Sequence, residues 1–94
     1  MAGNVIPISN GTVTGTGTIT LDGSYLFGGV DLNTDGTNAG TVVIRDNNDT
    51  GTILLDTSSV SGKTIIAPFL APSGQVYYSV SGTGADAMLY RWNE

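Results

Sequence analysis

The chain has 94 residues and a formal net charge of −5, with three Lys and Arg residues, eight Asp and Glu residues, 14 Gly and no Cys or His. This length suits a single domain with a thin hydrophobic core. The lack of Cys and His excludes disulfides, Cys-ligated zinc and catalysis by Ser-His-Asp or Cys-His groups, and the small number of cations argues against nucleic-acid binding.

The composition favours strands over helices. Eight Val, seven Ile and 13 Thr are β-branched, whereas one Glu, one Lys and one Gln are too few to build helix surfaces. Turn signals such as Asn10-Gly11, Asp22-Gly23 and Asp35-Gly36 recur at the spacing of about 8–12 residues that is typical of all-β sandwiches and barrels, and such pairs readily close hairpins. We therefore predict one all-β domain over residues 1–94, an antiparallel β-sandwich of seven or eight strands that is either jelly-roll or immunoglobulin-like.

The N-terminal quarter of the chain contains two notable predicted strands. The first is a short strand at residues 5–8, inside a polar segment, residues 1–10, that could instead be an extended arm binding other subunits. The second, residues 12–21, alternates Thr with Val, Gly, Ile or Leu at every position, so one face is lined with hydroxyl groups. A row of hydroxyls can face water or pair with another chain.

The rest of the chain supplies six more strands. We predict them at residues 24–32, 41–45, 52–56, 63–69, 75–81 and 87–92. Gly28-Gly29 predicts a bulge or kink within the first of these. Ser61-Gly62-Lys63-Thr64 ends like a phosphate-binding loop, but Thr57 stands where that motif needs Gly and a strand follows, so we predict a hairpin turn leading into that strand.

Aromatic residues in the last two strands are candidate contacts. Tyr77 and Tyr78 are adjacent, so one ring faces the core and the other faces outward; Tyr90 and Trp92 share a face opposite Arg91. Trp, Tyr and Arg are enriched at the energetic centres of interfaces. The predicted interface residues are Thr14, Thr16, Thr18, Tyr78, Tyr90, Arg91 and Trp92.

One acidic loop is a candidate calcium site. Asp31, Asn33 and Asp35 match the first half of an EF-hand loop, but Val42 occupies the position of its bidentate Glu and the flanking segments are predicted strands. A plain turn and a weak Ca²⁺ site are the two readings, and we favour the turn. No acid–base set accompanies the carboxylates, so we expect no enzymatic activity and no cofactor.

Two segments carry a resemblance to a known group of proteins. The turn and strand from Asp35 to Ile44, the segment from Val76 to Ala85 and the apolar strand that runs to Tyr90 resemble small β-sandwich head decoration (cement) proteins of tailed bacteriophages. The resemblance implies a structural virion protein that binds the outer capsid surface and stabilises neighbouring major capsid subunits. It also implies a homotrimer that has no catalytic residues and no nucleic-acid or membrane partner.

The expected localisation follows from the same resemblance. A phage protein is made in the host cytoplasm and released by lysis, and residues 1–7 lack the basic and apolar regions of a signal peptide. The alternative is a host- or carbohydrate-binding module of a tail fibre or head fibre, using an exposed Tyr or Trp and an acidic Ca²⁺ loop. Fibre modules usually belong to longer chains, so we expect decoration.

Overall fold

The described part of the chain forms eight strands. The structure is a computed structural model that describes residues 4–9 and 11–93. The strands are β1 (Asn4–Pro7), β2 (Gly15–Thr20), β3 (Leu26–Asn33), β4 (Gly40–Asp46), β5 (Ile53–Ser59), β6 (Lys63–Leu70), β7 (Gln75–Ser81) and β8 (Asp86–Asn93). No helix occurs among the described residues, and the predicted all-β class is confirmed.

The strands form two antiparallel sheets that pack face to face. Sheet A has the order β1-β8-β3-β6, and sheet B has the order β2-β7-β4-β5. Two four-stranded sheets with these strand orders have the connectivity of a jelly roll. An immunoglobulin-like sandwich, with seven or nine strands, is excluded.

Most of the predicted hairpin turns instead carry the chain from one sheet to the other. In the described part of the chain, β4 and β5 are the only consecutive strands that pair with each other. Asp22-Gly23 links β2 to β3, and Ser61-Gly62 links β5 to β6, each time across the sandwich. The prediction of hairpins was wrong there because a corner between sheets needs the same positive φ: 54° at Asp22 and 89° at Gly62.

The predicted strand at residues 12–21 is shared between the two sheets. Val13 forms a bridge to Ala87 in sheet A, and the chain then crosses to sheet B, where β2 starts at Gly15. The alternation itself is confirmed: every Thr from residue 12 to residue 20 is exposed, and Leu21 is fully buried. The alternation of Thr with apolar residues could not show that the chain crosses between sheets, because the apolar side chains face the core both before and after the crossing.

The predicted short first strand is confirmed. β1 pairs with β8 from Asn4 opposite Asn93 to Pro7 opposite Tyr90. The Ile8 amide then donates a hydrogen bond to the Leu89 carbonyl oxygen at 2.9 Å. The described part of the segment proposed as an extended arm is therefore paired inside the domain; residues 1–3 and 10 lie outside the described residues.

The core lies between the sheets and is almost entirely aliphatic. Phe27 is fully buried, and its ring centroid lies 6.3 Å from that of Phe69 at an interplanar angle of 50°. The other buried apolar residues are Leu21, Val30, Leu32, Val42, Ile44, Leu55, Ala71, Val76, Val80, Ala85, Ala87 and Leu89. Burying such side chains is the main stabilising contribution available to a domain of this size.

The predicted bulge at Gly28-Gly29 is confirmed and positions the core residues of β3. The register against both β6 and β8 shifts between Phe27 and Gly29. Phe27 and Val30 are both fully buried although they are three residues apart, which a regular strand of period two would not allow. Gly29 has a φ of 123°, and a Cβ atom there would collide with the backbone oxygen of Ile65.

Candidate interaction surfaces

The outer face of sheet A carries an apolar surface that crosses all four strands. Register places Pro7 beside Tyr90, Tyr90 beside Gly29, and Gly29 beside Ile66; Val5 lies opposite Trp92, and Leu26 opposite Leu70. We call this surface the apolar face and define it as Val5, Pro7, Leu26, Ile66, Leu70, Tyr90 and Trp92. Its two outer strands lie about 14 Å apart, since three gaps of about 4.8 Å separate four strands.

Two large aliphatic side chains of this face are exposed, as is Pro7. Leu70 is 62% exposed and Ile66 is 43% exposed. Sequence reasoning missed both, although β6 holds a signal for them: Ile65, Ile66, Ala67, Pro68, Phe69 and Leu70 are all apolar. Because neighbouring residues of a strand face opposite sides, an uninterrupted apolar run indicates an apolar outer side as well as an apolar core side.

The apolar face ends at a polar border on the same sheet. The Thr64 hydroxyl donates to the Asp31 carboxylate at 2.8 Å, and the Asn33 side-chain amide donates to Asp86 at 3.0 Å. These two pairs lie side by side across β6, β3 and β8. The apolar face therefore occupies one end of sheet A, and hydrogen-bonded polar side chains occupy the other.

The outer face of sheet B is mainly polar, although Ile53, which is 47% exposed, lies on it beside Arg45. The Thr side chains of β2 lie beside the outward residues of β7, with Thr16 opposite Ser79 and Thr18 opposite Tyr77. On the far side of the sheet, Thr41 and Ser58 are linked through their hydroxyl oxygens at 2.8 Å. We call this surface the hydroxyl face. Water satisfies such groups readily, so it has no need of a partner.

The predicted interface residues fall on different parts of the molecule. Tyr90 and Trp92 belong to the apolar face, and Arg91 lies on the other side of β8, opposite Phe27 and Ile6. Thr16 and Thr18 lie on the hydroxyl face. Thr14 is exposed between the Val13 bridge and the start of β2. The structure therefore does not bring these residues together into one site.

Tyr78 is the ring of its pair that faces inward. It is half-buried and packs against the core, and its hydroxyl end lies over Gly17 of the neighbouring strand. Tyr77 is the ring on the hydroxyl face, opposite Thr18 and Arg45. The sequence left open which ring faces outward, because adjacent residues of similar character give no sign of which one faces the core until the register is known; the interface candidate Tyr78 is the inward one.

A shallow cleft lies beside the apolar face, between the β2–β3 turn and the end of β8. It has a volume of about 440 Å³. The Tyr25 ring on its wall is 60% exposed. The other residues that line it are Asp22, Gly23, Ser24, Leu26, Arg91, Trp92 and Asn93. The cleft thus combines the aromatic side chains of Tyr25 and Trp92 with hydrogen-bonding side chains that include an acidic residue, Asp22, and a basic residue, Arg91.

The three candidate calcium ligands each have a different hydrogen-bond partner. Asp31 accepts from Thr64, and Asn33 donates to Asp86. Asp35 accepts from the backbone amides of Thr37 and Asn38, both at 2.8 Å, and from the Asn38 side chain at 2.9 Å. Within residues 4–9 and 11–93, no group of three acidic, His or Cys side chains is placed to hold a metal ion.

The hydrogen bonds to Asp35 also set its acidity. The backbone and side-chain hydrogen bonds from Asn38, followed by that from the Thr37 amide, lower the pKa of the Asp35 carboxyl group below its ordinary value. Each of these bonds favours the ionised form. The carboxylate therefore organises the β3–β4 turn.

Comparison with known proteins gives this chain no relatives from which to transfer a function. No family model, no curated protein and no solved structure matches it. In the described part of the chain, no helix is long and apolar enough to cross a membrane.

Proposed function

We propose that this chain is a structural decoration protein of a tailed-phage capsid, which binds the outer surface of the shell through its apolar face and bridges neighbouring capsid subunits. One observation carries the proposal: the two outer faces of the sandwich differ, since an apolar surface covers one end of sheet A whereas hydroxyl groups line most of the outer face of sheet B. A molecule that lies on a shell needs one face for the shell and one for water. Exposed apolar surface of a few hundred Å² often marks an interaction site.

The size of the apolar face fits additive binding. A standard stable interface buries about 800 Å² on each partner, and the exposed Leu70 and Ile66 supply only part of such an area. One copy therefore holds weakly, and repetition over many symmetric positions makes separation of the shell subunits costly. The homotrimer predicted from the sequence stays a prediction.

The charge of the chain indicates which forces dominate. A net charge of −5 gives little attraction to a shell unless the shell offers basic patches. Neither Leu70 nor Ile66 can form an ion pair. We therefore expect apolar contacts to dominate and binding to change little between 0.1 M and 1 M salt, a range over which surface charge interactions are strongly screened.

The test uses capsid particles prepared without this protein. Adding the wild-type chain should raise the temperature at which the particles lose their contents. Leu70→Lys should weaken binding about tenfold or more, because it would bury an unpaired charge in the apolar contact. Ser81→Lys is the matched control, because it places the same charge at an exposed position of β7. Equal loss of binding in both variants, or particles unaffected by the wild-type chain, would refute the proposal.

A second candidate function rests on the cleft beside Tyr25. Exposed aromatic rings next to Asp, Asn and Arg side chains suit the stacking and hydrogen bonding of a sugar, so the chain could instead be a host- or carbohydrate-binding module of a tail or head fibre. The jelly-roll fold does not decide, because it occurs in capsid proteins and in lectins.

Tyr25 and Leu70 separate the two functions. If the protein binds a surface glycan, Tyr25→Ala should abolish binding of particles to host cells and Leu70→Lys should leave it intact. If it is a decoration protein, Leu70→Lys should weaken binding to the shell and Tyr25→Ala should leave that binding intact. Trp92 is unsuitable for this comparison because it belongs to both the apolar face and the cleft.

A further inference from the structure

Among the four edge strands of residues 4–9 and 11–93, β2 is the one that lacks protection against pairing with another chain. Exposed strand edges are usually blocked by Pro, by charged residues or by irregular register. β1 contains Pro7, β6 contains Lys63 and Pro68, and β5 contains Asp56 together with a register shift against β4. β2 contains only Gly, Thr and Ile and keeps an unbroken register with β7 over all six residues.

The backbone groups that β2 leaves free can be assigned. The Leu21 amide donates to the Gly74 carbonyl oxygen at 2.9 Å, so the residues of β2 with odd numbers bond to β7. On the other side of β7, the Asn47 amide donates to Gln75, which agrees with that alternation. The amides and carbonyls of Thr16, Thr18 and Thr20 therefore point away from the sheet.

This edge is complementary to itself. When a second β2 strand is set antiparallel with Thr18 opposite Thr18, Thr16 falls opposite Thr20 on both sides. All three pairs are then of the hydrogen-bonded type, which gives six main-chain hydrogen bonds. The Thr side chains lie on one face in this arrangement, and cross-strand Thr pairs are favourable.

Charge does not oppose the pairing. Each copy carries a net charge of −5, but β2 has no ionisable residue. The nearest carboxylate along the chain is Asp22, and in the register with Thr18 at the centre it falls opposite Thr14 of the second copy. No two like charges therefore face each other across the contact.

We propose that β2 pairs with β2 of a second copy of this chain, so that two B sheets join into one eight-stranded sheet about a two-fold axis. The edge is about 20 Å long, since six residues rise about 3.3 Å each. A contact along one strand edge buries less than the ~800 Å² of a standard partner surface, so the pair forms at high protein concentration. The inference does not rest on the proposed function, and it yields a dimer rather than the trimer predicted from the sequence.

A single engineered cysteine tests the pairing, because the natural chain has none. In a hydrogen-bonded antiparallel pair the facing Cα atoms lie about 5.5 Å apart, which is within the range for a disulfide. Thr18→Cys should therefore be recovered mostly as a disulfide-linked dimer after mild oxidation at high concentration. Thr16→Cys should not form a disulfide-linked dimer, because the register with Thr18 at its centre places the two Thr16 residues four positions apart. Ser58→Cys, on the opposite edge of sheet B, should also remain monomeric.

The outcomes are distinguishable. Cross-linking of Thr18→Cys alone supports both the edge and the register. Equal cross-linking of all three variants, or none at Thr18→Cys while its circular dichroism matches that of the wild type, overturns the proposal. Thr18→Pro gives a second test without cysteine: it removes an amide that faces the free edge and leaves the bonds to β7 in place. It should abolish the concentration-dependent increase in sedimentation coefficient of the wild-type chain, and persistence of that increase would contradict the proposed contact.

Discussion

Replacing Gly29 with Ala should destabilise the domain more than the same substitution at the turn residue Gly23. At a φ of 123°, a residue other than Gly is strained by about 1–3 kcal/mol. The added methyl group also collides with the Ile65 backbone oxygen in β6, which cannot rotate away as a side chain would. Separating two packed strands adds a further cost of about 1–3 kcal/mol.

That cost is large for a chain of this length. A domain of 94 residues is stable by about 5–14 kcal/mol, and each kcal/mol lowers the melting temperature by about 4–8 °C. Gly23→Ala is the matched control: Gly23 also has a positive φ, of 89°, but no atom lies within 4 Å of the added Cβ. The φ strain is common to both variants, so the strand separation of about 1–3 kcal/mol remains, and Gly29→Ala should melt at least about 4 °C below Gly23→Ala.

The assay is thermal unfolding followed by circular dichroism in the β-sheet region, with urea unfolding to obtain the free energy. Both variants should show the same strand-rich spectrum as the wild type at low temperature. Equal melting temperatures for the two variants would refute the reasoning, because the close approach of β3 and β6 at Gly29 would then cost nothing.

Three further outcomes are expected. Leu89→Ala should lower the free energy of unfolding by about 2–5 kcal/mol, because Leu89 is fully buried. Trp92→Ala should lower the free energy of unfolding by less than about 1 kcal/mol, since Trp92 lies on the outer face beside Val5. The same variant should weaken shell binding at least tenfold. If it were as unstable as Leu89→Ala, Trp92 would belong to the core. Because its pKa is lowered in the folded state, Asp35 stabilises the fold above pH ~4 and loses that contribution as the pH falls through the lowered pKa. Asn38→Ala should raise this pKa, measured from the Asp35 carboxyl carbon shift in nuclear magnetic resonance, and an unchanged pKa would contradict the assigned cause.

Parts of the candidate surfaces could be read from the sequence, and parts could not. The Thr row of β2 was visible as strict alternation, and the shared face of Tyr90 and Trp92 followed from their spacing. The exposed Leu70 and Ile66 were missed, because an apolar residue in a strand is normally taken as core. Only the register with β3 showed that they face away from Phe27.

The sequence by itself determined the all-β class, the approximate position of each strand, the alternation along β2 and the bulge at Gly28-Gly29. These features depend on residues a few positions apart, so a local pattern is enough to specify them. Only the tertiary structure decided that Asp22-Gly23 joins two sheets, that Tyr77 faces outward, and that residues 4–7 pair with the last strand. Those outcomes depend on contacts between strands far apart in the chain, and identical turns and alternations are compatible with either sheet until the whole core has formed.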